Sequence, residues 1–184
     1  WTLDTNTGRL IITGSGGMYD WISGSSVPPW YSYRSYIETV RISNSVTSIG
    51  DYAFDDCDSL TSITIPDSVT SIGNWAFSSC SSLTSVTIGN SVKSIGFVAF
   101  YNCSSLTSVT ISKGCTSIRA GMFNRCKKLL SITIPNSITH INADAFEECD
   151  ALQNIYYTGT EAEWKAITIG SGNEKLKNST IHYN

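Results

Sequence analysis

The sequence predicts a solenoid of the α/β kind. A parallel ladder of short β-strands would alternate with tight 3₁₀ or helical turns, and both ends would be capped. Three observations carry this expectation. Five segments of 23 residues begin at Ser45, Ser68, Ser91, Gly114 and Ser137, with no insertion or deletion between them. The same positions are apolar in every segment. Each segment carries a short β-branched run, in most units followed by a turn pair. A fixed register held over so many residues marks a repeat array.

The elements follow in chain order. Trp1–Asp4 and Arg9–Thr13 flank Thr5-Asn6-Thr7-Gly8, which reads as a hairpin. Trp1, Tyr19, Trp21, Trp30, Tyr31, Tyr33 and Tyr36 load residues 1–36 with rings. Rings suit a plug over the exposed apolar end of a solenoid. Ile37, Val40 and Ile42 fall at positions 16, 19 and 21 of a partial unit, so the array is expected over 37–159.

Within the unit, position 5 is always Ile and position 10 always Phe (Phe54, Phe77, Phe100, Phe123, Phe146). Position 13 is always Cys and position 16 always Leu. Side chains at every third residue would share one side of a 3₁₀ or short helical turn. The run L-T-S-I-T-I alternates with period 2 and reads as a strand. Pro-Asp, Gly-Asn or Pro-Asn at positions 22 and 23 signals a turn. Gly50, Gly73 and Gly96 suit a bend with positive φ. One unit cannot bury its own apolar side, but stacked units can, with strands about 4.8 Å apart. In residues 160–184, Glu161–Ile167 reads as one short helix. Thr160 at its N-cap and Glu163 at N3 have capping-box spacing. Trp164 would fold onto the last repeat, and Ile181 and Tyr183 would belong to a final strand.

Composition narrows the function classes. The chain of 184 residues holds 29 Ser and 20 Thr, yet apolar and aromatic residues run throughout, unlike a disordered chain. A net charge of −3 lacks the basic excess of a nucleic-acid binder, so no nucleic-acid partner is expected. No apolar run reaches the ~18 residues of a membrane span, so no membrane insertion is expected in this segment. The chain opens at Trp1 without Met or a leader and reads as a mature or excised chain, so no compartment follows from a targeting segment.

No catalytic constellation stands out. Cys57, Cys80, Cys103, Cys126 and Cys149 occur once per unit, and Cys115 replaces the Val or Ile of position 2. No CxxC pair is present, which speaks against zinc. Neighbouring rungs fall within disulfide reach. Equivalent side chains in a stack point the same way, however, which fits the disulfide torsion poorly. Buried, reduced thiols are expected. Gly14-Ser15-Gly16-Gly17 lacks the Lys of a P-loop and the spacing of a dinucleotide loop. Asp55-Asp56-Cys57-Asp58 lacks the Gly and terminal Glu of a calcium loop, and the second unit has Ser78, Ser79 and Ser81 there. His140 and His182 sit in no GxSxG or HExxH context. No catalytic residue, metal or cofactor is assigned.

L-x-x-I-x-I followed by Pro-Asp, with S-I-G-x-x-A-F-x-x-C between, resembles the leucine-rich repeat, and specifically its BspA-like bacterial surface subfamily. The resemblance covers residues 37–157. The flanks, with Pro29-Trp30-Tyr31 at one end and Glu163-Trp164 at the other, look like the caps of such arrays. It implies a right-handed leucine-rich-repeat solenoid in a secreted or cell-surface bacterial protein that adheres to a host or matrix protein. Arg119, Gly121, Met122, His140 and Asn142 depart from the pattern.

In leucine-rich-repeat geometry, positions 18 and 20 face the concave side. The binding candidates there are Arg41, Thr64, Thr87, Thr110, Thr133, Tyr156 and Asn154. This face is hydroxylated and nearly uncharged. It reads as a flat surface for an extended partner, as a plain strand-propensity ladder, or as an array that orders water. Six or seven rungs would give a strip roughly 30 Å long, short of the ~800 Å² per partner of a standard interface. A second candidate set, Tyr52, Trp75, Tyr101, Arg125, Lys127 and Lys128, occupies the variable positions. The acidic fifth unit beside the basic fourth leaves mutual neutralisation open for the charged members. The function expected is a non-catalytic protein-binding or adhesion module. The alternatives are a carbohydrate-binding or enzyme-accessory module using Trp21, Trp30, Tyr31 and Tyr33, and a passive spacer.

Overall fold

In the computed structural model, which describes residues 1–22 and 24–184, each 23-residue unit carries the chain once round a coil. Each strand is thereby set beside the strand of the unit before. In chain order the strands are β1 (Thr2–Asp4), β2 (Arg9–Ile12), β3 (Gly16–Gly17), β4 (Thr39–Ile42), β5 (Val46–Ile49), β6 (Ser62–Ile65), β7 (Ser71–Ile72) and β8 (Ser85–Ile88). They continue as β9 (Ser94–Ile95), β10 (Ser108–Thr110), β11 (Ser117–Ile118), β12 (Ser131–Ile134), β13 (His140–Ile141), β14 (Asn154–Tyr157), β15 (Thr168–Ile169) and β16 (Thr180–His182). A 3₁₀ helix spans Tyr31–Tyr36, and helices α1 (Glu161–Lys165) and α2 (Glu174–Lys177) lie near the end of the chain.

Among the described residues the main sheet has nine strands, in the order β1-β2-β4-β6-β8-β10-β12-β14-β16. The expected hairpin forms, with Leu3 opposite Leu10. Its second strand then does something the sequence reading missed. β2 joins the parallel ladder, Leu10 beside Val40 and Ile12 beside Ile42. The repeat register holds along the array, with Ile63 beside Val86 and Val109 beside Ile132.

The core follows from the invariant positions. All five Phe rings are at most 1% exposed and stack along the axis with centroids 5.2 to 5.7 Å apart. Trp30 extends this column, stacked on Phe54 at 5.7 Å, and its indole N–H donates to the Ala53 carbonyl at 2.8 Å. Ring stacking adds to the energy of simple burial.

The repeats hold no continuous 3₁₀ helix, but the expected turns form singly. In every unit Cys N–H donates to the Phe carbonyl and Leu N–H to the Cys carbonyl three residues back, for example Cys57 to Phe54 at 3.3 Å and Leu60 to Cys57 at 3.0 Å. What keeps them from joining into a helix is that positions 8 and 12 of every unit adopt a left-handed φ of 55° to 64°. Position 8 is Tyr52, Trp75, Val98, Gly121 or Asp144. Position 12 is Asp56, Ser79, Asn102, Arg125 or Glu148. The reason lies in the backbone. N–H groups at positions 8, 10 and 12 point along the axis and donate to carbonyls of the next unit. Examples are Tyr52 to Asn74, Phe54 to Ala76 and Asp56 to Ser78, at 2.8 to 3.0 Å. A right-handed helical turn would aim those donors back at its own carbonyls. Satisfying them along the axis offsets a left-handed cost of about 1–2 kcal/mol per residue.

Gly50, Gly73 and Gly96 also differ from expectation, because none has a positive φ. They are needed for close approach. A Cβ on Gly96 would lie 2.5 Å from Asn74 N, and one on Gly73 the same distance from Asp51 N.

Position 7 builds a side-chain ladder beside these glycines. Asp20 Oδ1 accepts from Asp51 N at 3.0 Å, Asp51 Oδ1 from Asn74 N at 2.6 Å, and Asn74 Oδ1 from Phe97 N at 2.9 Å. Phe97 offers Ala120 N–H no such acceptor, and Arg119 replaces the next Gly. There the second sheet divides, into β3-β5-β7-β9 and β11-β13-β15. Phe97→Asn is expected to carry the ladder one rung further. It should stabilise the protein by about 1 kcal/mol in urea titration, whereas Phe97→Ala should give no gain.

At the C-terminal end the capping box forms. Glu163 N–H donates to Thr160 Oγ1 at 3.3 Å, and Thr160 N–H to Glu163 Oε2 at 2.7 Å. α1 stops at Lys165, short of the expected Ile167. Buried Trp164 meets Tyr157 edge-on at 5.2 Å. The axial ladder ends on Asn173, whose Oδ1 accepts from Phe146 N–H at 3.1 Å in place of a further backbone rung.

Candidate binding surface

Strand alternation sends Leu, Ile and Val inward and positions 18 and 20 outward. Arg41, Thr64, Thr87, Thr110 and Tyr156 are exposed, and Thr133 and Asn154 are half-buried. The structure brings all seven onto one face of the main sheet. They lie in two straight rows, with Arg41 beside Thr64, Thr64 beside Thr87, and Thr133 beside Tyr156.

The rows run further than the sequence reading placed them. Arg9 lies beside Thr39 and Ile11 beside Arg41 at one end, and Thr180 beside Asn154 and His182 beside Tyr156 at the other. The signal was present in Arg9-Leu10-Ile11-Ile12, which alternates as the repeat strands do. Tyr156 and His182 stack at 4.8 Å, and His182 Nε2 lies 2.9 Å from Asn154 Oδ1. At the opposite end two grooves of about 380 and 450 Å³ flank Arg41.

The second candidate set gathers elsewhere. Tyr52 and Trp75 stack with centroids 6.0 Å apart, Tyr101 follows at 5.9 Å, and the Arg125 guanidinium lies 5.6 Å from the Tyr101 ring. Arg125 Nε is 3.2 Å from Glu148 Oε1, and Lys127 Nζ is 3.9 Å from Oε2. The basic and acidic units thus pair with each other at these residues, although such exposed pairs add little stability. Lys128 is exposed and forms no ion pair among the described residues. Tyr52 and Trp75 cover one face of each other, whereas Tyr101 is tilted at 58° to Trp75.

Two of the rings considered for carbohydrate binding are spent internally. Trp30 is 4% exposed and already stacked and hydrogen-bonded. The face of Tyr31 is covered by Arg34 at 4.2 Å. Trp21 is half-buried, edge-on to Trp30, and Tyr33 is exposed.

The six cysteines are buried and free. Four thiols donate to a Phe carbonyl of the preceding unit at 3.1 to 3.2 Å, for example Cys80 to Phe54. Burial pushes Cys115 up to about 11 and Cys149 up to about 12, and raises the other four as well. Thiolate is the reactive form. A thiol reagent at pH 8 is therefore expected to label none of the six rapidly in the native protein and all six after denaturation. Burial likewise pushes Asp55 up to about 6, opposed by a hydrogen bond from Ser78. Among the described residues no three His, Cys, Asp or Glu side chains converge to hold a metal ion. Among the described residues no helix is long and apolar enough to cross a membrane.

Comparison with known proteins agrees with this geometry. The BspA type leucine-rich repeat region matches residues 29–153 in six copies. Among solved structures, the chain is similar to a leucine-rich repeat protein from Eubacterium ventriosum, with TM-score 0.74 and 30% identity, covering 85% of this chain and 41% of that one. It is also similar to a leucine rich cell surface protein from Faecalibacterium prausnitzii, with TM-score 0.74 and 29% identity, covering 99% of this chain and 52% of that one. The T. pallidum leucine rich repeat protein shares the fold at 22% identity and TM-score 0.70, over 100% of this chain and 94% of that one. The chain therefore spans about half or less of the first two structures. The comparison with curated proteins finds no match. With six copies of the repeat covering most of its length, the chain belongs to the BspA-type leucine-rich repeat family.

Proposed function

We propose that this chain is a non-catalytic docking module of a secreted or cell-surface bacterial protein, and that the outward face of the nine-stranded sheet receives a protein partner. The observation that carries this reading is the face itself. Two rows of small hydroxylated side chains stand exposed over most of the array, with charged and aromatic groups only toward the ends. Nine strands at about 4.8 Å make a strip about 40 Å long, longer than the repeats alone suggested. A few residues across, it still falls below the ~800 Å² of a standard partner surface. A micromolar dissociation constant is expected for one copy, with avidity from several copies on a cell surface. The coil is right-handed in this reading. Residues 1–36 and 160–184 serve as its caps, in keeping with Trp30 on Phe54 and Trp164 against Tyr157.

Proteins retained from an extracellular-matrix extract test the reading. Thr87→Trp, at the centre of the face, is expected to abolish retention, and Lys128→Glu, away from it, to leave retention intact. The reverse pattern would move the docking site off the sheet. Retention by neither wild type nor variants would favour a passive spacer.

A further inference from the structure

Two of the five arginines have no intramolecular partner among the described residues, and both line one end of the sheet face. Arg34 donates to Tyr31 O and lies over its ring, Arg119 lies over Phe97, and Arg125 pairs with Glu148 and Tyr101. Arg9 and Arg41 share in none of the ion pairs or ring contacts. They stand on adjacent strands, two residues apart in register, because Arg9 is beside Thr39 and Arg41 beside Ile11. Strand spacing and rise put their Cα atoms about 8 Å apart, close enough for both guanidinium groups to reach one carboxylate.

The surroundings leave that place open. Arg41 forms the ridge between the two grooves, which share Asn44 on their rim, and Arg9, Thr39 and Thr64 line the first. Asp4 is the register partner of Arg9 on β1. Its carboxylate instead accepts from Asn6 N–H at 3.0 Å and from the Thr7 hydroxyl, which hold it below the usual range. The protein carries a net charge of −3, so two guanidinium groups without an ion pair, side by side on a face whose one neighbouring carboxylate (Asp4) is bonded within its own turn, stand out. Arginine meets carboxylates through paired hydrogen bonds.

The charge is confined to this end. Thr64, Thr87, Thr110 and Thr133 fill the row between Arg41 and Tyr156. A polysulfated glycan would need further cations along the strip, and the row supplies none. A polypeptide with one acidic end needs only hydroxyls and a flat surface there. From β4 to β14 there are five strand spacings, about 24 Å, which about eight extended residues cover.

We infer that the sheet face takes an extended acidic peptide segment of the partner, with a carboxylate seated between Arg9 and Arg41 and the chain crossing the strands toward Tyr156. The inference rests on the docking role proposed above and names its ligand class.

A random decapeptide array, with sulfated oligosaccharides spotted beside the peptides, tests it. Wild type, the Arg9→Gln/Arg41→Gln double variant and Thr87→Trp are applied after circular dichroism has shown equal folding. The expected result is enrichment of Asp and Glu toward one end of the bound peptides. Binding should fall at least tenfold in the double variant and weaken with salt. Peptides without acidic bias, or binding unchanged in the double variant, would overturn the inference. If Thr87→Trp still abolished that binding, the docking face would stand without it. Tighter, arginine-dependent capture of the sulfated sugars would overturn the peptide assignment. Retention of no peptide overturns the inference as well, and the docking role is then judged by the extract experiment alone.

Discussion

Phe100→Ala is expected to cost about 3–5 kcal/mol, the range for emptying a buried aromatic site. Phe100 is fully buried at the middle of the column, with Phe77 at 5.3 Å and Phe123 at 5.7 Å. Removing the ring strips a stacked face from both neighbours, and each such contact adds about 0.5–1.5 kcal/mol to burial. The site cannot collapse to compensate. Axial hydrogen bonds from Phe77 to Ala99 and from Phe100 to Met122 fix the rungs on either side. For a domain of this size the loss corresponds to a fall in Tm of roughly 6–20 °C. Phe146→Ala, where the Phe column has one neighbour instead of two, should cost measurably less. Equal losses at the two sites in calorimetry would show that stacking along the axis contributes nothing beyond burial.

Gly73→Ala carries the second large effect, about 2–3 kcal/mol, at the upper end of overpacking costs. Its Cβ would lie 2.5 Å from Asp51 N and 2.6 Å from Gly50 C, both backbone atoms of the preceding unit. Neither rung can move away freely, because Gly73 N–H donates to Ile49 O at 2.8 Å and Ile72 pairs with Ile49. The outcome separates two roles for glycine. Were left-handed φ the requirement, Asn would substitute well. Since the requirement is contact, Gly73→Asn is expected to be at least as harmful as Gly73→Ala. Urea unfolding of both variants reads the difference, and a well-tolerated Asn would contradict the close-approach role.

The repeat period, the strands and the apolar column were legible because each is written five times. Phe, Cys and Leu at positions 10, 13 and 16 are all buried as their invariance suggests. The outward hydroxyl rows were legible from the period-2 alternation read together with the resemblance to leucine-rich-repeat geometry. The backbone between them was not. Tyr52, Trp75 and Val98 occupy left-handed positions that their side chains disfavour. Local propensity therefore points away from the left-handed positions, and hydrogen bonds to the next unit, together with the i to i+3 bonds inside each turn, account for them. The division of the second sheet was similarly hidden. It falls where Phe97 and Arg119 depart from the repeat, yet Ala120 and Asn142 depart in the same way one unit on while β11 and β13 still pair, so no single position announces the break. On the candidate face, Arg9 and His182 escaped because they lie outside the 23-residue units. β2 and β16 enter the ladder from segments with different spacing. Cysteine chemistry was readable from position, since a residue that replaces Val or Ile in a stack is a core residue first.

The stacking of 23-residue units is tested most directly by deletion. Removing 68–90 joins Asp67 to Ser91 and preserves the register of every later unit. Removing 68–78 breaks that register with a smaller loss of chain. If the fold is a column of equivalent rungs, the larger deletion is expected to keep a β-rich circular dichroism spectrum and one cooperative melt at a somewhat lower temperature. The smaller deletion is expected to unfold the array. Loss of the cooperative melt in the larger deletion, or its survival in the smaller, would contradict the column.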